Sequence, residues 1–168
     1  MLRHAILASL LATPLPASAM GFHAKDLWGI RLPTADLLGG TYTATSHTPN
    51  RVTLRCTDCG ERVVIDIQIT RGEHAAEARL RSGLMTLAGQ QKGCSAWAEA
   101  CRHRGHKVGP AIGWVQDYTL PGQAGTTARI YLDGDMLTIR STAVDPAIAH
   151  GNARAVLDRV APAIVTGD

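Results

Sequence analysis

Residues 51–70 read RVTLRCTDCGERVVIDIQIT. Val52 and Leu54 alternate with Arg51, Thr53 and Arg55. After a short interruption, Val63, Ile65, Ile67 and Ile69 alternate with Arg62, Val64, Asp66 and Gln68. A period of two marks half-buried strands, because successive side chains point to opposite faces. A four-residue loop, Thr57 to Gly60, would pair Leu54 with Val63 and Val52 with Ile65. Both pairs then share one apolar face, so the register is self-consistent. Such a hairpin needs further elements to cover that face.

The flanking sequence supplies them. Thr41 to Ser46 reads as a strand, whereas the rest of residues 20–50 has no clear period. Residues 73–91 predict a helix: Leu80, Leu84 and Leu87 recur at i, i+4 and i+7, with Ala76 and Ala88 extending the stripe. Gly83 costs that helix about 1 kcal/mol relative to Ala. Ser95 to His103 is compatible with a second short helix. Strand character returns at Ile112–Leu120, Thr127–Leu132 and Met136–Thr142. A type II′ turn on Gly134-Asp135 would pair Leu132 with Leu137 and Ile130 with Ile139. Asp145 is a natural N-cap and Pro146 a natural first helical residue. Ala149, Ala153, Val156, Val160 and Ile164 then form the apolar stripe of a helix, which Pro162 should kink or end. The expected fold is α+β: a single domain with an antiparallel sheet of about five to six strands, and two main helices (about 73–91 and 146–165) packed on one face.

Composition narrows the class. The chain has 168 residues, 45% hydrophobic and 18% charged, with a formal net charge of +3. That excludes a disordered chain, and the basic excess is too small to argue for nucleic acid. Residues 1–19 read as a secretory signal: Arg3 as a basic start, Ala5–Ala12 as a short apolar run, and Ala17-Ser18-Ala19 as a cleavage site. The apolar run is far shorter than the roughly 20 residues a membrane span needs. The expected mature protein, residues 20–168, is exported to the periplasm or secreted and contains no membrane span.

An oxidising compartment gives the four cysteines their meaning. Cys56-Thr57-Asp58-Cys59 is a C-x-x-C at a hairpin turn, a spacing shared by zinc knuckles, redox dithiols and structural disulfides. Its place between strands, not at a helix N-terminus, argues against the redox reading. Cys94 and Cys101 on one continuous helix would lie about 10.5 Å apart along the axis, too far for a disulfide. Either the helix is broken and Cys94–Cys101 closes a small loop, or both reach across to Cys56 and Cys59. The alternative is a metal site for zinc or copper on the same four cysteines, with His103 or His106 as substitutes.

The run Arg102-His103-Arg104-Gly105-His106-Lys107 is the strongest local charge cluster. Arg102, Arg104 and Lys107 are candidates to receive an anion or an acidic partner, against the plainer reading of a solvated loop. Trp28, Trp97 and Trp114 are candidates to line an apolar ligand pocket. No established catalytic motif occurs. The expected function is therefore an exported, non-enzymatic domain held by two disulfides. It would bind a partner protein or a small ligand in the cell envelope and need no cofactor. Envelope metal binding and thiol–disulfide exchange through the C-x-x-C are the alternatives.

Overall fold

The computed structural model describes residues 21–98 and 100–168; the expected signal segment lies outside them. Three strands come first: β1 (Tyr42–Thr48), β2 (Arg51–Cys56) and β3 (Val64–Thr70). Two helices follow, α1 (His74–Arg81) and α2 (Leu87–Trp97). Four more strands, β4 (Arg102–Val108), β5 (Ala111–Leu120), β6 (Gln123–Leu132) and β7 (Asp135–Ala143), lead to α3 (Pro146–Val165). All seven strands form one sheet in the order β1-β2-β3-β7-β6-β5-β4, antiparallel at each pairing. The sheet is thus one strand wider than the upper end of the sequence expectation. The extra strand is β4, the basic run itself. It has no apolar alternation because it is an edge, and charged residues on an edge discourage pairing with another chain.

Two expected registers are corrected. Leu54 pairs with Ile65 and Val52 with Ile67, two residues beyond the expected partners. Glu61 and Arg62 join the loop, and β3 starts only at Val64. A shift of two preserves the face, so the apolar surface forms as expected. At the β6–β7 turn, Leu132 pairs with Asp135 and Ile130 with Leu137. The turn residues are Asp133 and Gly134, with φ of 51° and 83°. Two consecutive positive φ values on Asp-Gly make a type I′ turn, whose twist matches that of the strands.

The expected helix over 73–91 is two helices. Gly83, at φ 76°, ends α1, and its N–H donates to Leu80 O. Thr86 then caps α2, its hydroxyl accepting the Gly89 N–H at 3.0 Å. The leucine stripe does not survive the break: Leu84 is 78% exposed. α3 follows its signals closely. Asp145 accepts the Ala147 N–H at 2.8 Å, Pro146 opens the helix, and the whole expected stripe is buried. Pro162 does not end it; the helix runs on to Val165.

The helices do not share a face. α3 covers the apolar side, where Ile65, Ile67, Leu137, Ile139 and Ile130 are fully buried with Val156, Val160 and Ile164. α2 lies against the opposite side, where Trp97 meets Tyr118 with ring centroids 4.9 Å apart. Tyr118 alternates with the core-facing Val115 and Asp117 of β5, which fixes its side of the sheet.

Residues 21–41 complete the apolar side as an irregular strap. Phe22 and Leu27 are fully buried. His23 and Ala24 donate backbone N–H groups to Val165 O and Ile164 O. Further along, the buried Asn152 of α3 accepts the Leu38 N–H at 2.6 Å and donates to Leu38 O and to the Tyr42 hydroxyl. Replacing this amide strands backbone groups that were satisfied, a loss of about 1–3 kcal/mol. Asn152→Ala is therefore expected to lower the unfolding free energy by that amount in urea. Limited proteolysis should cut residues 33–41 first in the variant.

Candidate functional site

Antiparallel pairing lays His103, Gln116, Thr127 and Arg140 in one row across β4, β5, β6 and β7. The adjacent row carries Trp114 and Arg129 as direct partners. All six point away from the apolar core, because they alternate with its residues along their strands. α2 lies over these rows and contributes Gln90, Gly93, Cys94 and Trp97. Between helix and sheet is an open cleft of about 590 Å³, lined by these ten residues and Tyr118.

Two devices hold α2 in place. Gln91 pairs with the main chain at the start of β4: its amide donates to Cys101 O at 3.0 Å, and its carbonyl accepts the His103 N–H at 2.7 Å. The Cys94–Cys101 disulfide is the second, with Cα atoms 5.4 Å apart. The chain can make that bond because α2 stops at Trp97. Ala98 donates back to Cys94 O and Cys101 to Ala98 O, so the backbone reverses within eight residues. Of the two outcomes open from spacing, the broken helix with a local loop is the one found.

The cleft is aromatic and donor-rich. The His103 and Trp114 rings lie 4.7 Å apart, and the Arg129 guanidinium sits 5.3 Å from the Trp114 ring centre. Arginine over an indole face is attracted by the ring quadrupole, and the Arg129 side chain also hydrogen-bonds Tyr131. Trp114 is only 6% exposed, yet its indole Nε1 has no protein partner. The same holds for Gln90 Nε2, Arg129 Nε and both ring nitrogens of His103. A buried polar atom without a partner costs about 1–3 kcal/mol. Five such nitrogens belong to residues that line this one cleft. Burial pushes the His103 imidazole below the usual histidine range. Among the described residues that line the cleft, none is an aspartate or glutamate.

The other sequence candidates are dispersed. Cys56 and Cys59 form a disulfide in the β2–β3 loop, with Cα atoms 5.7 Å apart. Asp58 between them accepts from Thr41 N and Oγ1, which hold its carboxyl below the usual range. Cys56, Asp58 and Cys59 bring their ligand atoms within 4.8 Å of one another, although both sulfurs are in the disulfide. The two cysteine pairs occupy different parts of the chain, and neither reaches the other. Strand alternation in β4 splits the basic run: Arg102, Arg104 and His106 face the α3 side, His103 and Lys107 the cleft side. His103 and His106 therefore cannot share one metal ion. Arg104 pairs with the buried Asp117 at 2.6 Å, and Thr126 donates to the same carboxylate. With His106, His150, Arg154, Asp158 and the apolar Val115, Ala128 and Leu157 they surround a smaller pocket of about 200 Å³ beneath α3. Of the three tryptophans, Trp97 and Trp114 line the cleft, whereas the Trp28 ring lies 4.6 Å from that of His47 on the far edge strand β1.

The aromatic and polar positions of β5, Trp114, Gln116 and Tyr118, were the sequence signal for this second face. They became informative only once β4 was known to be a strand beside them. No helix among the described residues is long and apolar enough to cross a membrane. Comparison of the chain with protein-family models, curated proteins and solved structures finds no match.

In the chain-entropy model, opening a loop of this size costs roughly 2–3 kcal/mol. The Cys94→Ser, Cys101→Ser double variant should lose that much stability. Its amide exchange should quicken in α2 while α3 stays protected. Acid acts on the same region. Burial depresses the pKa of His103 and of His106, the latter offset in part by Asp158. Below the ordinary histidine value of about 6.5 the unfolded chain then binds more protons than the folded one. Thermal stability is expected to fall as pH drops from 7.5 to 5. Changing both histidines to glutamine should flatten that slope.

Proposed function

We propose that this chain is an exported, non-enzymatic binding domain of the cell envelope, and that the aromatic cleft between α2 and the sheet is its ligand site. The observation that carries the reading is one open cleft whose lining includes Gln90, His103, Trp114 and Arg129, each with a buried side-chain nitrogen that has no protein partner. Its volume of 590 Å³ suits a small molecule. Export is supported by the composition of residues 1–19 and by cysteines that all find disulfide partners. The absence of a carboxylate from the described lining favours binding over catalysis. His103 has no acid there to orient it, and the lining sulfur of Cys94 is in a disulfide. The zinc or copper alternative on Cys56, Cys59, Cys94 and Cys101 would require both disulfides to be open, and any site on Cys56, Asp58 and Cys59 would require the first to be open. Elemental analysis of protein purified without reductant addresses it directly.

The three tryptophans provide the test. In a fragment screen by NMR on the ¹⁵N-labelled mature chain, binders should move the indole N–H signals of Trp97 and Trp114. The Trp28 signal, at the opposite sheet edge, should stay in place. A screen in which hits move all three indoles alike, or move none, would overturn the assignment of the cleft.

A further inference from the structure

We infer that the cleft selects a planar aromatic carboxylate, with its ring against Trp97 and Tyr118 and its carboxylate toward Arg129. This rests on the cleft being the ligand site and adds the chemistry of the ligand. The unpartnered nitrogens on the wall are mostly obligate donors. An indole N–H, a guanidinium N–H and a carboxamide NH₂ can only donate, and a neutral imidazole offers one donor and one acceptor. Four donors against one acceptor call for an acceptor-rich ligand. The formal charge of the lining points the same way. Arg129 and Arg140 are the charged side chains among the described lining residues, and both are cationic. A guanidinium presents paired N–H groups that match a carboxylate in its own plane.

The apolar half of the cleft has its own shape. Trp97 and Tyr118 meet edge to face, and the His103 and Trp114 rings lie 4.7 Å apart, tilted by 37°. Such walls favour a flat ring over a branched aliphatic chain, since π-systems gain from offset and edge contacts beyond the area they bury. Ring and carboxylate must therefore belong to one molecule. A free inorganic anion would leave the aromatic walls unused, and a neutral ring would leave the donors unmet.

Three naphthalene probes on the mature chain separate these cases: 2-naphthoate, 2-naphthylmethanol and 2-naphthylmethylamine, with acetate as the ring-free control. Titration is followed by the Trp97 and Trp114 indole signals. 2-Naphthoate is expected to bind at least tenfold more tightly than either neutral or cationic analogue, and acetate not to saturate. Arg129→Gln should remove that preference. Arg140→Gln, at an exposed position, should weaken it and provides the second reading if the first variant does not fold. Equal binding of all three naphthalenes, or preference for the amine, overturns the carboxylate selection while leaving the cleft as a ligand site. Failure of all three to move the two indoles overturns the ligand site itself.

Discussion

The pairing of β3 with β7 is the constraint on which the architecture depends. Each half of the sheet is a local meander: β1-β2-β3 forms from neighbours in sequence, and so does β4-β5-β6-β7. The β3–β7 seam alone joins them, across more than sixty residues, by seven antiparallel partners from Val64↔Thr142 to Thr70↔Met136. Its energetic content is apolar. Ile67 sits opposite Ile139 and Ile69 opposite Leu137, all essentially buried. Fully burying a side chain of this kind contributes about 1.5–3 kcal/mol. A closure of this length becomes favourable only when several such pairs form together.

The seam also determines where the helices go. β3 is third in the sheet, beside the central β7, and β4 lies at the far edge, so the connection must cross three strands. α3 and the strap of residues 21–41 occupy the apolar side, which leaves the other side for α1 and α2. α1 is tied down near the seam: Glu77 accepts the Gly134 N–H at 2.7 Å and pairs with Arg81. Burial raises the Glu77 pKa, but these bonds outweigh it and keep the carboxyl below its usual range. α2 is tied down at the edge by Gln91 and the Cys94–Cys101 disulfide. The span between these anchors passes over Gly105, Ile112 and Gly113, and the C-terminal part of α2 lies over His103, Trp114 and Arg129.

Legibility in the sequence follows from the kind of signal each element carries. The apolar side was readable residue by residue. Val52, Leu54, Ile65 and Ile67 alternate cleanly, and α3 has an Asp cap, an N1 proline and a full stripe. The errors there were in register, at Glu61-Arg62 and at Asp133-Gly134, where loop length and turn type decide and periodicity is silent. The second side was readable only in fragments. β4 has no apolar period, and the Leu80-Leu84-Leu87 stripe suggested one helix where Gly83 and Thr86 make two. Trp97 and Trp114 were visible as ligand-pocket candidates, but their meeting depends on β4, on the break at residues 82–86 and on a disulfide that spacing left open.

The contrast between the two sides explains why a cleft exists at all. α3 offers valines, isoleucines and small alanines at helical spacing, and its apolar stripe is buried against the sheet, leaving a small pocket beside Arg104 and Asp117. α2 reads LAGQQKGCSAW, with glycines at 89 and 93 and few large apolar residues. A Cβ built on Gly93 would meet nothing within 4 Å. Such a helix cannot fill the surface beneath it, and intrinsic propensity disfavours it, since each glycine costs about 1 kcal/mol against alanine. The side-chain amide of Gln91 and the Cys94–Cys101 bond offset that weakness at the C-terminal end. The separation between α2 and the sheet thus goes with Gly93, which brings no side chain to the cleft, and with the Gln91 and Cys94–Cys101 links, which fix α2 to the start of β4.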